Sequence, residues 1–253
     1  IHDIHNEKAK LLESIDLDEK AKEIEKQMPE KTLANVQKIF KGKSTKEILQ
    51  LLRDKPLKVI GKEVRPQTDH MLELEARIMA ANGITVIAPE KYTDTTNIYL
   101  VSFLCFLLGS DGGTFYSPSH SPVYVLGRKV LAGNGAQLSP EIYDIFVKYL
   151  NSIYKKANTT GFTIELSEKD NKNIFNTLKD ETVSAIFAQA LNHNPSIIRE
   201  INTAAEKGFR VTLNTLSGSA ARSLAAQLEA FGINHNIFEP LWPEEDSFFK
   251  VGY

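Results

Sequence analysis

The spacing of hydrophobic residues changes near residue 56 of this 253-residue chain. Before that point, in "LDEKAKEIEKQM", "TLANVQKIF" and "KSTKEILQLLRD", apolar positions recur at helical intervals among many lysines and glutamates. Ser44 or Thr45, with Glu47 close behind, forms the pattern of a helix N-terminal cap. We therefore predict a helical N-terminal segment over residues 1–55, made of two or three amphipathic helices whose charges face solvent.

From residue 56 onward, short apolar runs alternate with helical patterns. The runs "LKVIG", "ITVIAP", "GTFYS" and "GRKVLAG" predict four strands, and the last is a candidate for the edge of a sheet. Between and after them, "DHMLELEARIMAANG", "TTNIYLVSFLCFLLG" and "SPEIYDIFVKYLNSIYKKA" predict helices. This alternation is typical of an α/β fold, a layered α/β/α domain with a mixed, mostly parallel sheet, which we assign to residues 56–158.

A second α/β unit is predicted over residues 159–253. It begins with a linker that holds a short strand, "NTTGFTIELSEKDNKN", and continues with helices and strands in alternation. The closing stretch "LWPEEDSFFKVGY" has no clear period, so we expect this second domain to be incomplete. Together with the absence of a starting Met, this pattern favours a piece of a longer protein.

Composition and charge argue against several classes of protein. The formal net charge of −2 argues against a nucleic-acid-binding protein, whose binding surface would carry an excess of basic residues. The apolar run from Ile98 to Leu108 is shorter than the roughly 20 residues that a membrane-spanning helix needs, so we expect no membrane partner.

Cys105, the single cysteine, lies within that run and is predicted to be buried and inert. No signal-peptide pattern opens the chain, and a cytoplasmic location is expected.

The candidate for chemistry is the sequence Ser-Pro-Ser-His-Ser-Pro, residues Ser117 to Pro122, directly after the predicted strand "GTFYS". Sites in parallel α/β sheets lie at the carboxyl ends of strands, which is where this loop is expected. The prolines on both sides would hold Ser119 in one pose. Serine and proline also dominate ordinary turns, so the residues alone leave open a plain turn or a loop that presents a serine to a phosphate. A Gly-x-Ser-x-Gly elbow for acyl transfer is missing.

Residues 109–137 resemble the active-serine region of the α-D-phosphohexomutases, the phosphoglucomutase and phosphomannomutase family. The Ser-His pair and the following proline match that family's Thr-Ala-Ser-His-Asn-Pro motif, and Gly127 and Lys129 match the Asn-Gly-x-Lys after it. "VIGKEVRPQT" and "AANGITVIAP" upstream, and "GFRVTLNTLSGSAARSLAAQLEAFGI" downstream, resemble further family segments in the right order. The resemblance runs from about residue 57 to residue 253, over domain 1 and part of domain 2.

The resemblance implies an isomerase that moves a phosphoryl group between the 1- and 6-positions of a hexose phosphate through a phosphoserine. Ser119 takes the position of the phosphoryl carrier and of one metal ligand. His120 and Lys129 take the positions of neighbours that handle hydrogen bonds, protons and charge. The implied cofactor is Mg²⁺, and the implied partners are hexose phosphate and hexose 1,6-bisphosphate.

The chain also departs from the family pattern. Residues 1–56 hold no Gly-Thr-Ser-Gly-x-Arg-Gly loop, an Asp-Gly-Asp-Ala-Asp-Arg metal loop is missing, and Pro118 and Ser121 replace Ala and Asn in the serine motif. We favour part of a sugar-phosphate mutase that is inactive by itself. The alternatives are a non-catalytic binding or regulatory relative, and a generic α/β protein whose serine loop is only a turn.

Overall fold

A five-stranded sheet forms the centre of the computed structural model, which describes residues 2–191 and 194–249. The strands are β1 (Leu57–Lys62), β2 (Thr85–Pro89), β3 (Gly112–Tyr116), β4 (Arg128–Leu131), β5 (Ile174–Leu178), β6 (Val211–Asn214) and β7 (Phe238–Leu241). The helices are α1 (His2–Glu13), α2 (Leu17–Gln27), α3 (Glu30–Ile39), α4 (Thr45–Asp54), α5 (Thr68–Ala81), α6 (Ile98–Leu107), α7 (Pro140–Thr160), α8 (Asp180–Ala190), α9 (Pro195–Glu206) and α10 (Ala220–Phe231).

The large sheet is mixed and mostly parallel, as predicted. Its order is β4-β3-β1-β2-β5, and all neighbouring pairs are parallel except β3 and β4. β4 therefore forms an antiparallel edge strand, which confirms the expectation for "GRKVLAG". Because β5 pairs with β2, the sheet continues past the predicted domain boundary between residues 158 and 159. The short strand predicted within the linker at residues 158–173 is wrong, because that stretch holds no strand. The edge strand β5 begins directly after it, at Ile174, and was not predicted.

Different helices cover the two faces of the large sheet. On one face, Leu104 and Cys105 of α6 are fully buried against Phe115 of β3. On the other face, Leu72 of α5 packs on Ile60 of β1. Burial raises the pKa of the Cys105 thiol to about 11, so the thiol stays protonated at neutral pH, as expected for an inert core cysteine.

The N-terminal segment forms four helices rather than two or three, because the polar stretch before residue 14 is also helical. The predicted cap is confirmed, since Ser44 and Glu47 form a reciprocal capping box at the start of α4. Ile39 and Phe40 at the end of α3 are fully buried. The ring of Phe40 meets that of Phe175 in β5 edge-on, with 5.7 Å between centroids. The segment is thus part of the core of the large sheet.

The predicted second α/β unit contains its expected elements. β6 and β7 form a parallel pair, and α9 and α10 accompany them. α10 packs on α8, where the Ser223 hydroxyl donates to the buried carboxylate of Asp180. Residues 192–193 and 250–253 of this predicted unit lie outside the described residues. Among the helices that the structure describes, none is both long enough and apolar enough to cross a membrane.

We expect Phe40→Ala to lower the free energy of unfolding by about 3–5 kcal/mol, the usual range for truncating a buried aromatic ring. Phe106→Ala is the matched control, because Phe106 lies on α6 but is 67% exposed, and its loss should cost less than about 1 kcal/mol. Urea unfolding followed by circular dichroism measures both variants. Equal losses would contradict the placement of the N-terminal helices in the core.

Candidate active site

The Ser-Pro-Ser-His-Ser-Pro loop leaves the carboxyl end of β3, as predicted. β3 ends at Tyr116, and Lys62, the last residue of the adjacent parallel strand β1, lies opposite it. The side chains of Ser119 and His120 are exposed. Because β1 and β3 end at the same edge of the sheet, the loops that follow them meet beside Ser119.

Ser119 has a backbone φ of 60°, in the left-handed region that residues with a side chain rarely adopt. Such a conformation costs on the order of 1–3 kcal/mol and persists only where the surroundings hold it. The Ser119 N–H donates to the Ser117 hydroxyl at 3.1 Å, and the Ser121 N–H donates to the Pro118 carbonyl at 3.3 Å. These bonds keep the strained residue at the exposed tip of the turn.

Arg65 holds the serine loop from the neighbouring strand. It lies in the loop after β1, and its Nη2 atom donates to the carbonyl oxygens of Ser119 at 3.1 Å and Ser121 at 2.6 Å. Its Nη1 atom pairs with the carboxylate of Glu63. The Arg65 side chain is 5% exposed, so water competes little for these bonds. The sequence analysis did not single out Arg65, and its place in the loop after an adjacent strand is the signal that points to it.

A cavity of about 560 Å³ opens between the serine loop and α7. Residues 117–119, Gly127 and Arg128 form one side, and Tyr143 of α7 is on the other. The loop and the start of β4 are in close contact, because a Cβ atom built on Gly127 would lie 2.4 Å from the Cα atom of Pro118. Glycine is therefore the residue that fits at 127, which gives a physical reason for the Gly127 that the resemblance singled out.

The structure brings Ser119 together with Arg128, whereas Lys129 lies on the other face of the sheet. Lys129 stands opposite Phe115 in the antiparallel ladder, and residues paired in this way share a face. Phe115 packs in the core beneath α6, so Lys129 is on the α6 side. Within the described part of the chain, neither Lys129 nor His120 has a side-chain hydrogen bond or ion pair. Their roles beside Ser119 stay predictions.

A buried carboxylate anchors Arg128. Glu75 of α5 is 5% exposed, and its Oε1 atom accepts from Lys58 Nζ at 2.7 Å and from Arg128 Nη2 at 2.6 Å. The same oxygen accepts from the Thr114 hydroxyl at 2.9 Å. Lys58, Thr114 and Arg128 belong to β1, β3 and β4, so one carboxylate oxygen joins three strands to α5. The sequence analysis missed this cluster, because its members are far apart along the chain.

The charges around Glu75 keep it ionised. Burial alone would raise the pKa of Glu75, but the positive charges of Lys58 and Arg128 outweigh burial and lower the pKa to about 2. Burial lowers the pKa of Lys58, and the charge of Glu75 opposes that lowering. The ionised Glu75 holds the guanidinium of Arg128 at the wall of the cavity.

The residues around Ser119 do not form a Mg²⁺ site by themselves. Mg²⁺ is bound through carboxylate and phosphate oxygens in an octahedral arrangement. Across residues 2–191 and 194–249, no three His, Cys, Asp or Glu side chains come together as a potential metal site. Ser119 is therefore not part of a preformed cluster of such ligands among the described residues.

Comparison with protein families identifies a matching domain. The family model described as the alpha/beta/alpha domain I of phosphoglucomutase/phosphomannomutase matches residues 18–158. The match begins before the resemblance found in the sequence, and it includes helices α2 to α4. Among curated proteins, the phosphoglucomutase of Staphylococcus aureus is 29% identical over 98 residues, which are 39% of this chain and 17% of that protein.

Two solved structures share the fold. The putative phosphomannomutase from Thermus thermophilus has a TM-score of 0.56 at 17% identity, over 87% of this chain and 43% of that one. The open form of the phosphoglucomutase parafusin from Paramecium has a TM-score of 0.58 at 16% identity, over 90% of this chain and 43% of that one. The chain therefore matches less than half the length of each relative.

We expect Arg65→Gln to loosen the serine loop, because it removes the guanidinium that bonds two of the loop's carbonyl groups. Amide hydrogen exchange at residues 119–121 should accelerate at least about tenfold, which corresponds to roughly 1.4 kcal/mol of lost protection. Arg77→Gln is the matched control, because Arg77 bonds the carbonyl of Ser167 instead. Exchange measured by mass spectrometry that is the same in both variants would show that other contacts fix the loop.

Proposed function

The chain belongs to the phosphoglucomutase/phosphomannomutase family, whose domain I model matches more than half of it, and we propose that it is part of a sugar-phosphate mutase. The proposed reaction moves a phosphoryl group between the 1- and 6-positions of a hexose phosphate. The observation that carries the proposal is the exposed, strained Ser119 at the carboxyl end of β3, in a loop that Arg65 holds in place.

In the proposed reaction, Ser119 carries the phosphoryl group as a phosphoserine. A sugar hydroxyl oxygen attacks the phosphorus atom, the bond from phosphorus to Ser119 Oγ breaks, and the hydroxyl proton ends on that Oγ atom. This step leaves a hexose 1,6-bisphosphate and a free serine. The serine then takes the other phosphoryl group by the reverse step. Because phosphoryl transfer depends mainly on positioning and charge stabilisation, the fixed backbone around Ser119 is this chain's own contribution.

The other assignments come from the resemblance. We propose that His120 moves the proton. For Lys129, which lies on the α6 face of the sheet, the proposed role of balancing charge on the phosphoryl group is supported by the resemblance alone. Mg²⁺, when bound, would neutralise charge on the phosphoryl oxygens, with Ser119 as one of its ligands. The proposed partners are hexose phosphate and hexose 1,6-bisphosphate.

A second candidate function is that of a non-catalytic binding or regulatory relative. The observation that favours it is the lack of a cluster of potential metal ligands among the described residues. The two functions differ in whether Ser119 accepts a phosphoryl group, and this difference can be measured directly.

We predict that Ser119, rather than Ser117 or Ser121, becomes phosphorylated when the chain is incubated with glucose 1,6-bisphosphate. Ser119 alone matches the family's serine, and it alone directly precedes His120. Intact-protein and peptide mass spectrometry locates the phosphate, and Ser119→Ala is the control that should take up none. Phosphate on Ser117 or Ser121 with none on Ser119 would show that Ser119 is not the phosphoryl carrier.

We also predict that the 253-residue chain does not turn over a hexose phosphate by itself. Transfer needs groups placed in advance to meet the developing charge, and the described residues include no potential metal cluster to share that task. A coupled assay with glucose 1-phosphate, Mg²⁺ and the bisphosphate activator is the measurement. Turnover of about 1 s⁻¹ or more that is lost in Ser119→Ala would show the prediction to be wrong.

A further inference from the structure

Arg128 has unused hydrogen-bond donors at the wall of the cavity beside Ser119. An arginine guanidinium carries five N–H donors, two of them on Nη2. Arg128 uses Nη2 to bond Glu75 Oε1 at 2.6 Å and the Thr114 hydroxyl at 3.3 Å. Its Nε and Nη1 donors have no partner among the residues that the structure describes, and its side chain is 37% exposed.

The charge of Arg128 is only partly balanced. Lys58 and Arg128 bond to the same oxygen of Glu75, so one carboxylate serves two cationic side chains. The cavity's described lining contains no acidic residue. A planar guanidinium with free donors matches the geometry of a phosphate, to which it can donate two parallel hydrogen bonds.

We propose that Arg128 binds a phosphate group in the cavity between the serine loop and α7, and so positions it beside Ser119. The inference rests on the proposed mutase function and extends it to a residue outside the resemblance, which concerns Gly127 and Lys129 on either side. The phosphate can have two sources: the phosphoryl group on Ser119, or the phosphate of a hexose phosphate that enters the cavity. The shared chemistry is a phosphate ester beside an anchored guanidinium.

The first arm of the test measures free ligands. The unphosphorylated 253-residue chain is titrated by calorimetry with inorganic phosphate and with glucose 1-phosphate at one fixed ionic strength. Arg128→Gln should raise the Kd at least about tenfold if the ligand's phosphate is the source. Arg199→Gln removes an exposed arginine of α9, outside the cavity, and should leave the Kd unchanged.

The second arm measures the phosphoserine itself. Phosphoserine is installed at position 119 during translation, and its second ionisation is followed by phosphorus NMR. A nearby guanidinium favours the doubly charged phosphate, so Arg128→Gln should raise this pKa by about 1 unit if the phosphoserine is the source. Arg199→Gln is again the control that should leave it unchanged.

Arg128→Gln also removes a partner of the buried Glu75, so its fold is checked by circular dichroism and Tm. Should this variant not fold, the wild-type chain supplies the test. The Nε–H signal of Arg128 in proton–nitrogen NMR is assigned by its absence in Arg128→Lys. That signal should shift when phosphate is added or when position 119 carries phosphoserine.

The outcomes test phosphate binding by Arg128 separately from the proposed mutase function. A weaker affinity in the first arm, a raised pKa in the second, or both support the proposal and identify the source of the phosphate. Unchanged values in both arms, or an Nε–H signal that does not move, overturn it. Because the phosphoserine is installed rather than formed by reaction, failure of Ser119 to accept phosphate from the bisphosphate would count against the mutase function alone.

Discussion

One buried carboxylate, that of Glu75, holds together the part of the molecule on which the serine loop depends. The loop runs from the end of β3 to the start of β4, and Glu75 bonds Thr114 in the first strand and Arg128 in the second. It also bonds Lys58 in the central strand β1. Removing one partner of a buried ion pair typically costs about 3–5 kcal/mol, because a charge is left uncompensated. The short edge strand β4 is thus fixed to the sheet by more than its ladder with β3.

The central strands could be predicted from the sequence because their signals are local. "LKVIG" became β1, whose residues are all buried, and the apolar spacing of "DHMLELEARIMAANG" became α5. The place of β5 could not be predicted, since its pairing with β2 joins segments that are far apart along the chain. Helix α1 was missed for a similar reason. It is mostly polar, and it is docked by tertiary contacts such as that of buried His5 with Asp111, at 3.5 Å.

The location of the site could be predicted from the order of strands and loops. The side-chain contacts that build it could not, because they depend on tertiary packing. The location of Ser119 followed from the rule that loops at the carboxyl ends of strands carry function. The contacts of Arg65 and Arg128 depend on which loops and strands become neighbours, and no local pattern records this. The case of Lys129 shows a further constraint. Consecutive residues of a strand point to opposite faces, so in the structure Arg128 lines the cavity with Ser119 and Lys129 does not.

Arg65 also connects the serine loop to the segment that follows β7. Its guanidinium carbon lies 5.0 Å from the centroid of the Phe249 ring, while its Nη2 atom bonds the carbonyl of Ser119. The same segment also contacts the loop between β2 and α6, where the Thr95 hydroxyl donates to Glu245. Because the guanidinium is planar and rigid, a shift of the Phe249 ring would also move the atom that bonds the Ser119 carbonyl. The strained backbone of Ser119 is therefore held by a group that packs against both units of the chain, and the pose of the serine depends on how these units meet.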